Sequence, residues 1–269
     1  MLDDEFMTKV FEDEACVEFL LQILLDQEDL KVQEVHVQKV IKNLQGRSIR
    51  MDILASDDIG KIYNVEIQRS DKGAVPERAR YHTSLLDANL TEAGEDYTAL
   101  PETYVIFIVE NDVLKSGLPI YHIDRTIQET GEAFYDKTHI IYVNARIQDE
   151  TDLGKLMHDF TCPDPADMYY EVLAERVRYF KEDTKGVAVM NSAMEKLWKE
   201  AREEGRMEGH IEGRIEGRME GRMEGRAEER VRSIAEILFN QGTKDDAKRF
   251  LRATEEELQK AEEMLCVMQ

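Results

Sequence analysis

Residues 50–86 read RMDILASDDIGKIYNVEIQRSDKGAVPERARYHTSLL, and the reading of this stretch decides the fold. Two short alternating segments flank Asp57-Asp58-Ile59-Gly60, a turn signal, and each carries a carboxylate: Asp52 in the first and Glu66 in the second. In a strand, residues two apart share a face, so Glu66 and Gln68 point one way while Val65 and Ile67 pack behind them. A hairpin through the turn brings Asp52 close to Glu66. Two acidic oxygens and an amide at one spot are what a divalent-metal site for phosphate chemistry needs. The competing reading is two exposed strand acids beside an incidental glutamine. Further on, Lys72-Gly73-Ala74-Val75 breaks the pattern and Pro76 starts a helix carrying Ala79, Leu85, Leu86 and Leu90. Arg78, Tyr81, His82 and Leu85 share one flank of it. That flank either holds a phosphate backbone or is an arginine-rich solvent face.

Upstream, Phe6–Leu25 has the apolar spacing of one or two amphipathic helices, whose acids, Glu18 among them, form an outer face. Val32–Val40 alternates and is rich in valine, which predicts a strand; His36 within it is an isolated histidine. Arg47–Ala55 and Lys61–Arg69 follow as the second and third strands of a meander. Downstream, Glu102–Val109 is an unbroken apolar run of strand length, as in a strand covered on both faces. Leu118–Ile123 and His139–Asn144 are two further strands. Asp152–Phe160, Asp167–Phe180 and Val187–Glu204 are helical by spacing. Strand–helix–strand order around Glu77–Leu90 implies an α/β core with mixed pairing.

The composition changes at Glu204, from which the chain reads EGRMEGHIEGRIEGRMEGRMEGRA with a glycine every fourth residue. Each glycine costs about 1 kcal/mol in a helix interior. The repeat is therefore either a marginal helix stabilised by self-association along its glycine or methionine stripe, or a flexible spacer. Beyond it, Val231–Asn240 is a short amphipathic helix, and Thr243 and Thr254 are placed to cap two more. The division expected is a domain over 1–185, a helical linker over 186–226 and a small helical module over 227–269.

A formal net charge of −22 argues against a surface that coats nucleic acid non-specifically. Between Lys31 and Arg80, however, ten basic residues stand against seven acidic ones, so the hairpin lies in a locally basic part of an acidic chain and favours an anionic substrate. Three widely spaced cysteines, Cys16, Cys162 and Cys266, indicate neither a disulfide framework nor a zinc knuckle. With no signal-like segment and no run of about 18 apolar residues, a cytoplasmic protein with no membrane partner is expected.

An acid on one strand followed by an acid-x-polar pair on the next resembles the signature of the PD-(D/E)XK nuclease superfamily. The stretches NLQGRSIRMDILASDDIGKIYNVEIQRSDKG, RARYHTSLLDANL, LPETYVIFIVEND, LPIYHIDR, IIYVNAR and GKLMHDF resemble, more narrowly, the recombination-promoting nuclease (Rpn) family of that superfamily, also described as transposases. The resemblance spans roughly residues 1–185, and the EGR-type tail is similar to the variable tails of that family. It implies a restriction-endonuclease-like α/β fold, a mixed sheet flanked by helices, with a long helical C-terminal extension. It also implies a Mg2+-dependent (or Mn2+-dependent) DNA endonuclease linked to recombination. By the family pattern Asp52 and Glu66 hold the metal, the carbonyl of Ile67 adds a ligand, and Gln68 stands where the superfamily has lysine. Gln68 supplies no charge, so a nearby cation must compensate. Arg69, Lys72, Arg78, Arg80 and Tyr81 are the residues expected to meet DNA. The partners expected are DNA and a second copy through the repeat. The alternative is a catalytically weak or inactive nuclease fold that acts as a DNA- or protein-binding module.

Overall fold

A computed structural model describes residues 4–43, 46–68 and 73–267, arranged as two compact units, Met1–Met194 and Glu195–Gln269. The first begins with α1 (Asp4–Val10) and α2 (Glu14–Leu25). The three-stranded meander β1 (Val32–Ile41), β2 (Ile49–Asp57) and β3 (Ile62–Gln68) follows. After α3 (Pro76–Leu90) come β4 (Thr103–Val109), β5 (Ile120–Ile123), β6 (Thr138–Asn144), α4 (Asp152–Thr161) and α5 (Glu171–Glu182). The strands form one six-stranded sheet in the order β1-β2-β3-β4-β6-β5. The hairpins β1–β2 and β2–β3 are antiparallel, whereas β3–β4 and β4–β6 are parallel. The parallel β3–β4 step needs a crossover, which α3 supplies. This is the mixed α/β sheet the strand–helix–strand order called for.

Strand β4 shows why the sequence reads as an unbroken apolar run. Tyr104, Ile106 and Ile108 pack with α1, α2, α4 and α5, while Val105, Phe107 and Val109 pack on the other face, with Ala79 of α3 and Tyr142. Strand β3 is different. Its odd residues Tyr63 and Val65 enter the first core, but its even residues on the α3 side are Asn64, Glu66 and Gln68. Burying Asn64 and Glu66 completely is costly unless each is paired, and that cost is concentrated under α3.

Two boundaries differ from the sequence reading. The helix expected from Asp167 begins at Glu171, because the Asp159 carboxylate, fully buried, accepts the main-chain N–H groups of Tyr169 and Tyr170 at 2.9 Å each and holds them out of a helix. The strand expected from Leu118 begins at Ile120, after Gly117 turns the chain with φ 73°. Among the described residues no helix is long and apolar enough to cross a membrane.

Helix α6 (Thr184–Phe239) includes both the repeat and Val231–Phe239, which continues it rather than starting a helix of its own. In the second unit its last turns pack Ile234 and Ala235 against Ala247 of α7 (Lys244–Leu251) and Leu258 and Ala261 of α8 (Glu255–Val267). Both threonine caps form. Thr243 and Asp246 make a capping box, and Thr254 Oγ1 accepts the Glu257 N–H while Glu257 accepts the Thr254 N–H. Glu257 also takes Arg230 through both oxygens, at 2.8 and 3.2 Å. Arg230 first, and the Thr254 N–H second, hold its carboxyl down at about 2. A depressed carboxylate contributes stability above the ordinary carboxylate range and loses it as the pH falls towards the lowered value. Glu257→Gln should therefore melt below wild type at neutral pH, with the gap closing between about pH 5 and pH 2 as followed by circular dichroism. A gap independent of pH would contradict the pairing.

Candidate active site

The hairpin positions the two carboxylates. Its turn is tied by Asp57, which is 5% exposed and accepts the N–H groups of Ile59 (3.1 Å) and Lys61 (2.7 Å) and the Tyr63 hydroxyl (2.8 Å). Gly60 closes the turn with φ 85°, a conformation that suits glycine. From there the register runs Ser56↔Ile62 to Ile53↔Val65, and Asp52 and Glu66 stand one position beyond the last pair. Both are tied to the neighbouring backbone. Ile67 N–H donates to Asp52 Oδ2 at 3.0 Å, and Asp52 N–H donates to Glu66 Oε1 at 3.3 Å.

At Asp52 the side-chain alternation of β2 changes phase. Ile49 and Met51 pack with Leu85 and Leu86 of α3, yet Ile53, two residues on, enters the opposite core. On β1, Gln38 lies opposite this point in the register and holds a left-handed φ of 51°. Such an irregularity re-aims a side chain, and here it stands beside the acid.

Helix α3 completes the site. Arg78 reaches Glu66 Oε2 at 2.9 Å, the Gly73 carbonyl at 3.0 Å, Gln68 Oε1 at 3.4 Å and His82 Nε2 at 3.2 Å, with its guanidinium over the Phe107 ring. A guanidinium has no acceptor, so the Gln68 atom facing it is the oxygen, and the amide N–H groups of Gln68 point elsewhere. Arginine likewise donates to His82 Nε2, which places the ring proton on Nδ1. That atom lies 3.1 Å from the Asn64 amide and 3.7 Å from Glu66 Oε1.

The electrostatics are those of a site short of positive charge. Burial, and then the Asp52 carboxylate, push the Glu66 carboxyl above the usual range, and the Arg78 ion pair only partly opposes them. Burial, then Arg78 and Arg47, hold His82 down at about 4, so it is neutral at physiological pH. A divalent cation between the acids would favour their charged forms.

The structure thus brings together Asp52, Glu66, Gln68 and Arg78, with the Ile67 main chain beside them. Arg69 and Lys72 lie outside the described residues. Arg80 is exposed and makes no ion pair among the described residues. The Tyr81 hydroxyl is occupied by the β1–β2 connection, donating to the Arg47 carbonyl and accepting from Asn43 Nδ2. His82 and Asn64 were not singled out for the site by the sequence; the only hint was the four-residue spacing of Arg78 and His82 on one helix flank.

Among the described residues no group of three or more His, Cys, Asp and Glu side chains is gathered for a metal. Two carboxylates are nevertheless a donor set that suits Mg2+, which keeps several waters and takes only one or two protein carboxylates. Gly73 offers a direct test of the packing. A Cβ there would meet Gln68 Oε1 at 2.4 Å and Arg78 NH1 at 2.9 Å. Gly73→Ala should push both groups aside and lower any activity of this site by about tenfold or more, with little change in melting temperature.

No curated protein and no solved structure matches the chain. Residues 8–156, which include the whole hairpin, α3 and all six strands, match the family described as PD-(D/E)XK nuclease family transposase. With over half its length matched, the chain belongs to the PD-(D/E)XK nuclease family transposases.

Proposed function

We propose that this protein is a divalent-metal-dependent DNA endonuclease that hydrolyses phosphodiester bonds at the Asp52–Glu66–Gln68 cluster. The observation that carries the reading is the convergence of two carboxylates, each tied to the neighbouring strand, in a chain of nuclease family. Asp52 and Glu66, with the Ile67 carbonyl, would hold Mg2+ or Mn2+. When bound, such an ion polarises the scissile phosphate and lowers the pKa of a bound water.

The chain's own residues do the rest. Through the ion they would hold, Asp52 and Glu66 would fix the water and phosphate relative to each other, which would remove much of the entropic cost of attack. Gln68, its oxygen turned to Arg78, presents N–H donors and orients a phosphate oxygen; it cannot act as a base. The water oxygen bonds to phosphorus as the bond to the leaving sugar oxygen breaks. That oxygen keeps the bonding electrons and takes a proton from solvent, and the attacking water gives its proton to solvent. The local excess of basic residues between Lys31 and Arg80 supports an anionic polymer as substrate.

The full chain incubated with supercoiled plasmid should nick it in Mg2+ or Mn2+, and excess EDTA should reduce cleavage to background. Retained DNA binding without cleavage in either metal would favour the binding-module reading instead.

A further inference from the structure

We infer that Arg78 is the catalytic cation of this site, supplying from helix α3 the positive charge that Gln68 cannot supply from the strand. The inference rests on the nuclease reading of the site. Asp52, Glu66 and a bridging phosphate bring three negative charges together, and a phosphoryl-transfer transition state adds charge to the phosphate oxygens. A divalent ion offsets two of the three. Gln68 is neutral at all accessible pH values.

Arg78 is built to fill the gap. Its main restraints come from four directions: Glu66 Oε2 on NH2 at 2.9 Å, the Gly73 carbonyl on NH1 at 3.0 Å, His82 Nε2 on Nε at 3.2 Å, and the Phe107 ring beneath the guanidinium at 5.9 Å. The second NH1 hydrogen reaches Gln68 Oε1 only loosely, at 3.4 Å. Of the five N–H donors an arginine carries, this leaves one on NH2 uncommitted among the described residues, beside the Glu66 oxygen. The side chain is one-third exposed although the Glu66 it pairs with is fully buried. The free donor therefore belongs to a part-exposed guanidinium held against the buried Glu66 and near the half-buried Asp52. A group fixed in this way needs no reorganisation when charge develops, which is the condition for electrostatic catalysis.

The same contacts could serve folding alone, and the experiment separates the two roles. Nicking of supercoiled plasmid by the full chain in saturating Mg2+ is measured for wild type, Arg78→Ala, Arg78→Lys and the double variant Arg78→Ala/Gln68→Lys, with melting curves as controls. Arg78→Ala is expected to lower kcat by about 10²- to 10³-fold with a much smaller change in KM. Arg78→Lys, which keeps a charge but not the fork, should recover part of the loss. The double variant, which restores a cation at the strand position, should recover more than tenfold over Arg78→Ala. A residue that only braces Glu66 would not be replaced by a lysine on a different element. Should Arg78→Ala melt early, Arg78→Gln, which keeps a donor without the charge, takes its place in the comparison. Unchanged kcat in the uncharged variant, or no recovery by either lysine, overturns the assignment while leaving the nuclease reading intact. A wild type inactive in every metal overturns both.

Discussion

Asp52→Ala and Glu66→Ala should each lower metal-dependent nicking of plasmid DNA by at least about a hundredfold, the loss expected when a centre of transition-state stabilisation is removed. The two acids stand just beyond the end of the β2–β3 ladder, and each already accepts a neighbouring main-chain N–H, so little else needs to move for both to reach one ion. Cleavage left intact by both substitutions would end the reading. Stability should move the other way at Glu66. Its carboxyl sits above the usual range because burial and Asp52 disfavour the charge. A raised acid contributes its stability below the ordinary carboxylate range and loses it as the pH rises. Metal-free Glu66→Gln should therefore melt no lower than wild type at pH 8, and its melting temperature should fall less than that of wild type between about pH 5 and pH 8, the window over which a raised carboxyl titrates. A residue that lowers stability where it stands but is needed for turnover is a mark of function rather than folding.

The largest stability effect should come from Asp57. Replacing it by alanine removes the acceptor of two main-chain N–H groups and of the Tyr63 hydroxyl, which is buried completely. A buried network stripped of its shared acceptor costs about 2–4 kcal/mol, which for a unit of this size lowers the melting temperature by roughly 5–15 °C. Tyr63→Phe removes the hydroxyl together with its need for a partner and should cost about 1 kcal/mol. Calorimetry on the two variants decides the point. Equal losses would mean that the tyrosine contact, not the turn, carries the energy. Because this turn sets the register that brings Asp52 and Glu66 together, Asp57→Ala should also lower activity at temperatures where the chain is still folded.

Much of the first unit was legible in the sequence because it depends on local pattern. Alternation marked the meander, and the Asp57–Gly60 turn joined β2 to β3. The unbroken run at Glu102–Val109 announced a strand covered on both faces, as β4 is. Parity placed Glu66 and Gln68 on one face, and the hairpin placed Asp52 close to Glu66, since both follow from counting residues along paired strands. The start of α5 was less legible, because it is held by Asp159 from another helix, a contact that leaves no local trace.

Only the tertiary structure decided which cation meets the carboxylates. Four cations were candidates by sequence; between the two among the described residues, Arg78 and Arg80, reach depends on how α3 packs over the sheet, and that packing is set by Leu85 and Leu86 against Met51 and Leu54, residues with no chemistry of their own. It put Arg78 on Glu66 and Gln68, turned Tyr81 to the β1–β2 connection and left Arg80 in solvent. Burial was decided there as well. The sequence showed an acid on a strand, whereas the complete enclosure of Glu66 beneath a helix is what raises its proton affinity and makes a neighbouring positive charge necessary.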